Sequence, residues 1–505
     1  MSELIATTSE KKSGLTYSEE KSKLVQLRWI FFILLNILLI GSSLFEQLNV
    51  HDGLGWDGMT YAAMVKNYIS LLTHKGLDAY YIQRVLPSGL VFLMIKTLGL
   101  GFTNHNIILV FSIYNIVLVN LSLYLWFRLM KQFDFSIQTQ LVATVLLLGN
   151  FCILKFAMFY PVLTDISTFL LGMLLLQAYL NGRQALLLVL GLIGAFCHPL
   201  IQYFALLLFL FPRGKDKVPV ATWKPMRFFP LALSAGYVCF ILYLFVRRPD
   251  LIDAHLWQGT DPVDRQLLFL SMICSAAYLF YISLSVVRNR VAERSFENRN
   301  WMRIGLALVS VALVIVVRKF VSGPKPAFGF KDFRLNLVLQ SISDPFEFLV
   351  SHFIFFGLAV FFIILFFRKF EKQSSELGTG FMLFIYAVLF LGVGSETRQY
   401  TFALPFLIFP LCFIFEKELK RQWIPFIILA SLLLSKIWMP LSQGQYNDKA
   451  LLFPDQYLFM NIGPWMIHTT YLIQLAILVV LSGVFLLFYF RRAQNPIKLK
   501  PHAQA

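Results

Sequence analysis

The sequence predicts an all-α polytopic membrane protein with about 12–14 transmembrane helices, since a span takes about 20 apolar residues. Three observations carry this. Of 505 residues, 58% are hydrophobic and 14% charged, with mean hydropathy +0.69, whereas a soluble domain is nearer half apolar and a quarter charged. Apolar runs of spanning length recur from 29–46 to 468–490. Between them Lys and Arg gather in alternate loops, as expected of cytoplasmic segments beside anionic lipid. The net charge of +17 therefore points to a membrane surface and not to nucleic acid.

Residues 1–28 carry Lys11, Lys12, Lys21, Lys23 and Arg28 and are expected to form a cytoplasmic tail. This polar stretch exceeds the n-region of a signal peptide and no A-x-A-like site follows it, so 29–46 reads as a retained first span. A first membrane module is expected over 29–211, including an outer loop 47–105. Within that loop, 56–84 places polar and apolar residues at helical spacing and reads as an amphipathic interfacial helix. The run 85–100 is short, contains Pro87, Gly89 and Lys96, and reads as interfacial or re-entrant. Spans near 106–127 and 138–158 then put Arg128 and Lys131 inside and residues 160–165 outside. The run 184–211 is interrupted by His198–Pro199, and proline breaks the helical ladder. It reads as two half-spans that turn on the outer side.

A second module is expected over 212–490, with spans near 228–246, 266–287, 304–321, 346–367, 379–394, 400–415, 423–439 and 468–490. Its outer loops are 247–265, 322–345 and 440–467. The last two mix aromatics, prolines and charges and read as ordered caps. A second cytoplasmic tail, 491–505, follows. In this arrangement 28 of the 44 Lys and Arg fall on one side, and both termini are cytoplasmic.

The cysteines Cys152, Cys197, Cys239, Cys274 and Cys412 all lie in apolar runs, where cysteine acts as a small hydrophobe. None has the spacing of a metal site. Walker A, GxSxG, HExxH and kinase motifs are absent, so neither ATP-driven transport nor serine or zinc hydrolysis has support.

The polar stretch His51–Asp52–Gly53–Leu54–Gly55–Trp56–Asp57–Gly58–Met59–Thr60–Tyr61 follows the first span and is where chemistry is expected. Gly55 and Gly58 allow a tight turn around Asp57. A carboxylate there, partly desolvated beside Trp56, suits a general base for a sugar hydroxyl; the competing reading is an N-cap for the following helix. Asp52 reads as a loop residue or supporting charge. Asp165 ends Tyr160–Pro161–Val162–Leu163–Thr164–Asp165 at the start of a span on the same side; its competing reading is also helix capping, by Thr164 or itself. Carboxylates at membrane depth are costly, which favours a role in function.

His198 is either a packing residue or part of a site. Arg84 could reach a phosphate from the interface or anchor by snorkelling. In Gly394–Ser395–Glu396–Thr397–Arg398–Gln399–Tyr400, Glu396 and Arg398 sit in a short loop between apolar runs. An arginine oriented there by a glutamate suits a lipid-linked phosphate; the alternative is a purely structural pair.

With Trp56–Asp57–Gly58–Met59–Thr60–Tyr61 after the first span, a second acidic residue at Asp165, and Glu396–Thr397–Arg398–Gln399–Tyr400 followed by Pro405, the chain resembles the GT-C superfamily of integral-membrane glycosyltransferases, in particular its mannosyltransferase branches. The layout matches best over the first 210 or so residues. Two departures stand out: Gly394–Ser395 replaces the His-Lys that usually precedes the late Glu, and no Trp-Trp-Asp element is present. The resemblance implies a GT-C-like fold with interfacial helices in the first outer loop. It also implies a polyprenyl-phosphate-linked sugar donor and inverting transfer to a hydroxyl of a lipid, glycan or protein acceptor of the cell envelope. It assigns Asp57 and Asp165 as catalytic carboxylates, Asp57 being the general base. Arg398 and Arg84 would hold the leaving phosphate, with Glu396 beside them, and Asp165 and His198 would shape the donor pocket. Trp56, Tyr61 and Asp52 would support Asp57. No metal or other cofactor is implied, and the expected location is a bacterial inner membrane.

Two rival readings remain. A glycan polymerase or ligase draws on Arg247–Arg248 and the 322–345 loop. A secondary transporter or lipid flippase would show paired broken helices, and only one broken run is visible in the sequence.

Overall fold

The computed structural model describes residues 14–214, 224–249, 265–323, 330–441 and 468–491, which are helical with no strand. The protein is an all-α polytopic membrane protein. Seven of the described helices are long and apolar enough to cross a bilayer, and a bent pair adds an eighth. Seven further apolar helices of 10–17 residues are too short for a bilayer core on their own. Glycines, prolines and polar breaks divide the apolar runs more often than their hydropathy suggests.

The first helix, α1 (Gly14–Phe45), faces outward: its apolar stretch is only 11% buried, with Trp29, Ile33 and Ile37 exposed as lipid-facing side chains would be. The region 56–84 is not one interfacial helix. It is α2 (Asp57–Lys66), α3 (Tyr68–Thr73) and α4 (Ala79–Ile82). Asn67 leaves helical geometry between the first two, and Asp78 starts the third by accepting from the Tyr81 N–H at 2.9 Å, a side-chain cap. The next element, α5 (Val85–Thr97), has 13 residues, about 20 Å of helix, short of a membrane core. By contrast α6 (Asn104–Gln132) runs 29 residues from a Thr103 cap.

The expected span 138–158 is bent. Helix α7 (Ile137–Leu148) is followed by a π-helical turn, Cys152–Phe156, and the axis turns by 53°. Asn150 fills the break: its amide donates to the Leu146 and Leu147 carbonyls and its Oδ1 accepts from the Ile153 N–H. A side chain inserted into the ladder in this way is a known cause of kinks. Lys155, in the π turn, is fully buried and reaches Glu46 Oε2 at 2.7 Å, while Glu46 Oε1 accepts from the Leu441 N–H. The bend is thus tied to the end of α1.

Helix α8 (Asp165–Leu180) leads to the broken run, which forms α9 (Gln184–Gly194) and α10 (Pro199–Leu210), packed on each other and turning at residues 195–198. The peripheral helices α11 (Phe229–Arg247) and α12 (Arg265–Arg288) pair with each other. Beyond the short α13 (Val291–Glu297), α14 (Trp301–Val321) packs on α9, α10 and α4. At its end Arg318 and the Gly323 N–H reach the carbonyls of Ala79 and Leu77, which fixes the segment before Arg84. Of the insertions expected on the outer side, 322–345 contributes α15 (Phe330–Gln340); most of 247–265 and nearly all of 440–467 lie outside the described residues.

The expected span 346–367 is interrupted at Gly357, whose φ is +69°, giving α16 (Glu347–Phe356) and α17 (Leu358–Leu365). After α18 (Phe367–Glu376) and α19 (Thr379–Leu391), a 3-10 turn, Thr397–Ala403, enters α20 (Leu404–Glu418). The most apolar 18 residues within 397–418 are 83% buried, the highest share among these candidate spans. The chain continues through α21 (Trp423–Ser435) to α22 (His468–Arg491).

One contact positions the site. Gly172 of α8 lies against the backbone of Phe402, so that an added Cβ would overlap the Phe402 carbonyl. This close approach brings the 3-10 turn onto the helix headed by Asp165. Gly172→Ala is expected to destabilise the protein by about 3 kcal/mol, the upper range for overpacking, because backbone cannot yield cheaply. Gly41→Ala, with nothing within 4 Å of its Cβ position, is expected to be neutral or to stabilise by up to about 1 kcal/mol. Thermal melting of both variants in detergent checks the contrast, and a neutral Gly172→Ala would refute the packing role.

Candidate active site

Asp57 is the first residue of α2, but it does not cap it: the N-cap position is Trp56 and no side chain closes the helix end. The Asp57 carboxylate is turned instead to Arg398, with Oδ2 2.8 Å from Nη2 across 341 positions of chain. Three contacts hold Asp57 in place. The Leu48 N–H donates to the Phe159 carbonyl, the Gly58 N–H donates to the Tyr160 hydroxyl at 3.1 Å, and Trp56 meets the Tyr160 ring edge-on. A Cβ on Gly55 would fall 2.5 Å from the Tyr160 ring. The glycines therefore serve the close approach of Tyr160 as well as the turn.

Arg398 also contacts Glu396: its Nε donates to Oε1 at 3.1 Å, and the other carboxylate oxygen of Glu396 accepts from Gln399 Nε2. The loop carrying them is braced from α16. Ser351 Oγ donates to the Ser395 carbonyl at 2.9 Å. His352 Nε2 lies 2.7 Å from the Gly392 carbonyl and Nδ1 lies 2.8 Å from Thr397 Oγ1. A carbonyl can only accept, so Nε2 carries a proton.

Arg84 is buried; its guanidinium lies 4.0 Å over the Tyr80 ring, and Nη1 donates to the Tyr80 carbonyl. It is not a snorkelling anchor. It acts electrostatically on Asp57, Tyr61, Asp165 and His198. Asp165 begins α8, and neither it nor Thr164 makes a side-chain cap; it interacts electrostatically with Arg398. His198 does cap a helix, accepting from the Leu200 N–H on Nδ1 at the start of α10, and its ring lies by Phe402. The Leu86 N–H to Phe196 carbonyl bond joins that turn to the segment after Arg84. Tyr61 is 2% exposed and edge-on to Tyr81. Asp52 stands apart: it is exposed and accepts from Asn104 at 3.4 Å. The site thus gathers two guanidinium groups and three carboxylates, framed by Tyr61, Tyr80 and Tyr160.

Burial pushes the Asp57 carboxyl up, but the Arg398 guanidinium, with help from Arg84, more than offsets this and holds it below the usual carboxylate range. Tyr61 and Tyr80 are pushed up by burial and stay neutral donors. A depressed carboxylate contributes stability that is present above its unfolded value, about 3.9, and lost as pH falls through the folded value. Melting temperature is therefore expected to hold, as far as this pair is concerned, down to about pH 4 and to fall below it. Asp57→Asn should flatten part of that acid loss; identical acid profiles for the two proteins would contradict the pairing.

An apolar cleft of about 320 Å³ opens beside this loop. It runs from Tyr400, His352 and Gly392 at the site end to Tyr281, Ile364 and Phe367. Sequence reasoning missed Tyr80, Tyr160 and the Ser351–His352 brace. Tyr160 was within reach, standing five residues before Asp165, but nothing near 351–352 announces its partner loop. Among the described residues no group of three His, Cys, Asp or Glu could hold a metal ion. No protein-family profile, curated protein or solved structure matches this chain.

Proposed function

We propose that the protein is a membrane glycosyltransferase that moves a monosaccharide from a polyprenyl-phosphate donor to an acceptor hydroxyl on the extracytoplasmic face of a bacterial inner membrane. The observation that carries this reading is the Asp57–Arg398 pair with Arg84 beside it: a carboxylate and two guanidinium groups at one place. The acceptor oxygen attacks the anomeric carbon as its proton passes to Asp57. The bond from that carbon to the phosphate oxygen breaks with inversion, and polyprenyl phosphate leaves with its negative charge on Arg398 and Arg84, a preorganised electrostatic stabilisation. Asp165 and His198 line the donor side, and Glu396 orients Arg398. The apolar cleft running from Tyr400 accommodates part of the isoprenoid chain.

A second reading, a secondary transporter, draws on the broken α9–α10 and α16–α17 runs and on the bent α7 segment. The α7 break is filled by Asn150 and the Lys155–Glu46 pair, which leaves less room for cargo. Purified protein incubated with a panel of polyprenyl-phosphate sugars and lipid, glycan and peptide acceptors decides between them. Formation of a glycosylated acceptor with release of polyprenyl phosphate is expected. Uptake of solute into vesicles without covalent transfer would reject the enzyme reading.

A further inference from the structure

A polar cleft lies at the far end of α6 from Asp57. It measures about 480 Å³ and is lined by Arg128, Lys131 and Gln132 of α6, Gln177 of α8, and Asn181 and Arg183 from the turn into α9, with Tyr124 at its edge. Its walls are joined: Gln132 Nε2 donates to Asn181 Oδ1 at 2.8 Å, and Asn181 donates to the Gln177 carbonyl. No carboxylate lines it. The C-terminal ends of α6 and α8 contribute partial negative charges of about half a unit each, fewer than the three cations present.

Two features specify the occupant. From Asn104 to Gln132, α6 spans 29 residues, about 43 Å, the thickness of a bilayer with its headgroup layers. Asn104 bonds Asp52 and Lys66 beside the Asp57 segment, so the cleft falls in the opposite headgroup layer. Leading away from it along one face of α6, Tyr124, Leu121, Val117, Ile113 and Leu109 are each 42–57% exposed. Their spacing of three or four residues makes a continuous apolar lane. A soluble anion would use the cations and ignore the lane.

We propose that this cleft binds the phosphate headgroup of an anionic phospholipid from the leaflet opposite Asp57, with its acyl chains along the α6 lane. The site is independent of the proposed transfer chemistry. Delipidated full-length protein titrated with phosphatidylglycerol, phosphatidylcholine or inorganic phosphate, with bound lipid counted by native mass spectrometry, tests it. Phosphatidylglycerol is expected to bind at least about tenfold more tightly than phosphatidylcholine and to resist millimolar phosphate. Arg128→Gln, Lys131→Gln and Arg183→Gln should each weaken it about fivefold, the effect of one basic residue at a membrane surface. Arg299→Gln, outside the cleft, should not. Equal affinity for the two lipids, displacement by inorganic phosphate, or unchanged affinity in all three cleft variants would each overturn the proposal. The lipid comparison on the unmodified protein stands even if a variant fails to fold.

Discussion

Asp57→Asn is expected to lower the transfer rate constant by at least about 100-fold, within the 10²–10⁴ range of general-base catalysis, while leaving KM for the donor nearly unchanged. Asn keeps the shape and one acceptor oxygen, so Arg398 retains a partner and the α2 turn its contacts to Tyr160. What disappears is the ability to take a proton. The stability cost is smaller, about 1 kcal/mol, because the two side chains are 28% and 18% exposed and partly screened. Initial rates at saturating donor, with melting curves to confirm the fold, make the measurement. A variant that folds and turns over at the wild-type rate would remove Asp57 from the chemistry.

Arg398→Gln is expected to be more damaging, because one guanidinium serves three carboxylates. Nη2 holds Asp57 and Nε holds Glu396, while Asp165 interacts with the same charge. Without it, three negative groups face each other with only Arg84 nearby. A loss of about 2–3 kcal/mol is expected, between the values for exposed and fully buried pairs. The rate should fall by at least about 100-fold through lost stabilisation of the leaving phosphate. Arg398→Lys separates the two roles. It keeps the charge but cannot bridge two carboxylates with one planar group, so stability should recover in part while activity stays low. Full activity in the lysine variant would show that the fork geometry is not needed.

Much of the fold was legible in the chain. Hydropathy and charge gave an all-α polytopic protein, the break at His198–Pro199 and the shortness of 85–100, because length and composition of a segment are local and additive properties. The breaks at Asn67, Asn150 and Gly357 were not legible. A lone Asn or Gly within a helical run is also tolerated in a continuous helix; here Asn150 inserts its side chain into its own ladder and Gly357 takes a φ of +69°. The capping readings of Asp57 and Asp165 were reasonable locally, yet neither side chain caps its helix, since a guanidinium 341 positions away offers Asp57 a stronger partner.

The polar stretch around Trp56–Asp57 could be singled out from sequence alone, because polar residues and glycines just past an apolar run are conspicuous. Its partners could be named only as separate candidates. Which of them meet was decided by packing: Gly172 admits the Phe402 backbone, Tyr160 receives Gly58, and Ser351 and His352 hold the loop that carries Arg398. The sequence by itself determined that this chain lives in a membrane and where its polar segments lie. Only the tertiary structure determined that Asp57, Arg84, Asp165 and Glu396–Arg398 form one cluster, because an ion pair between distant segments leaves no trace in the composition of either.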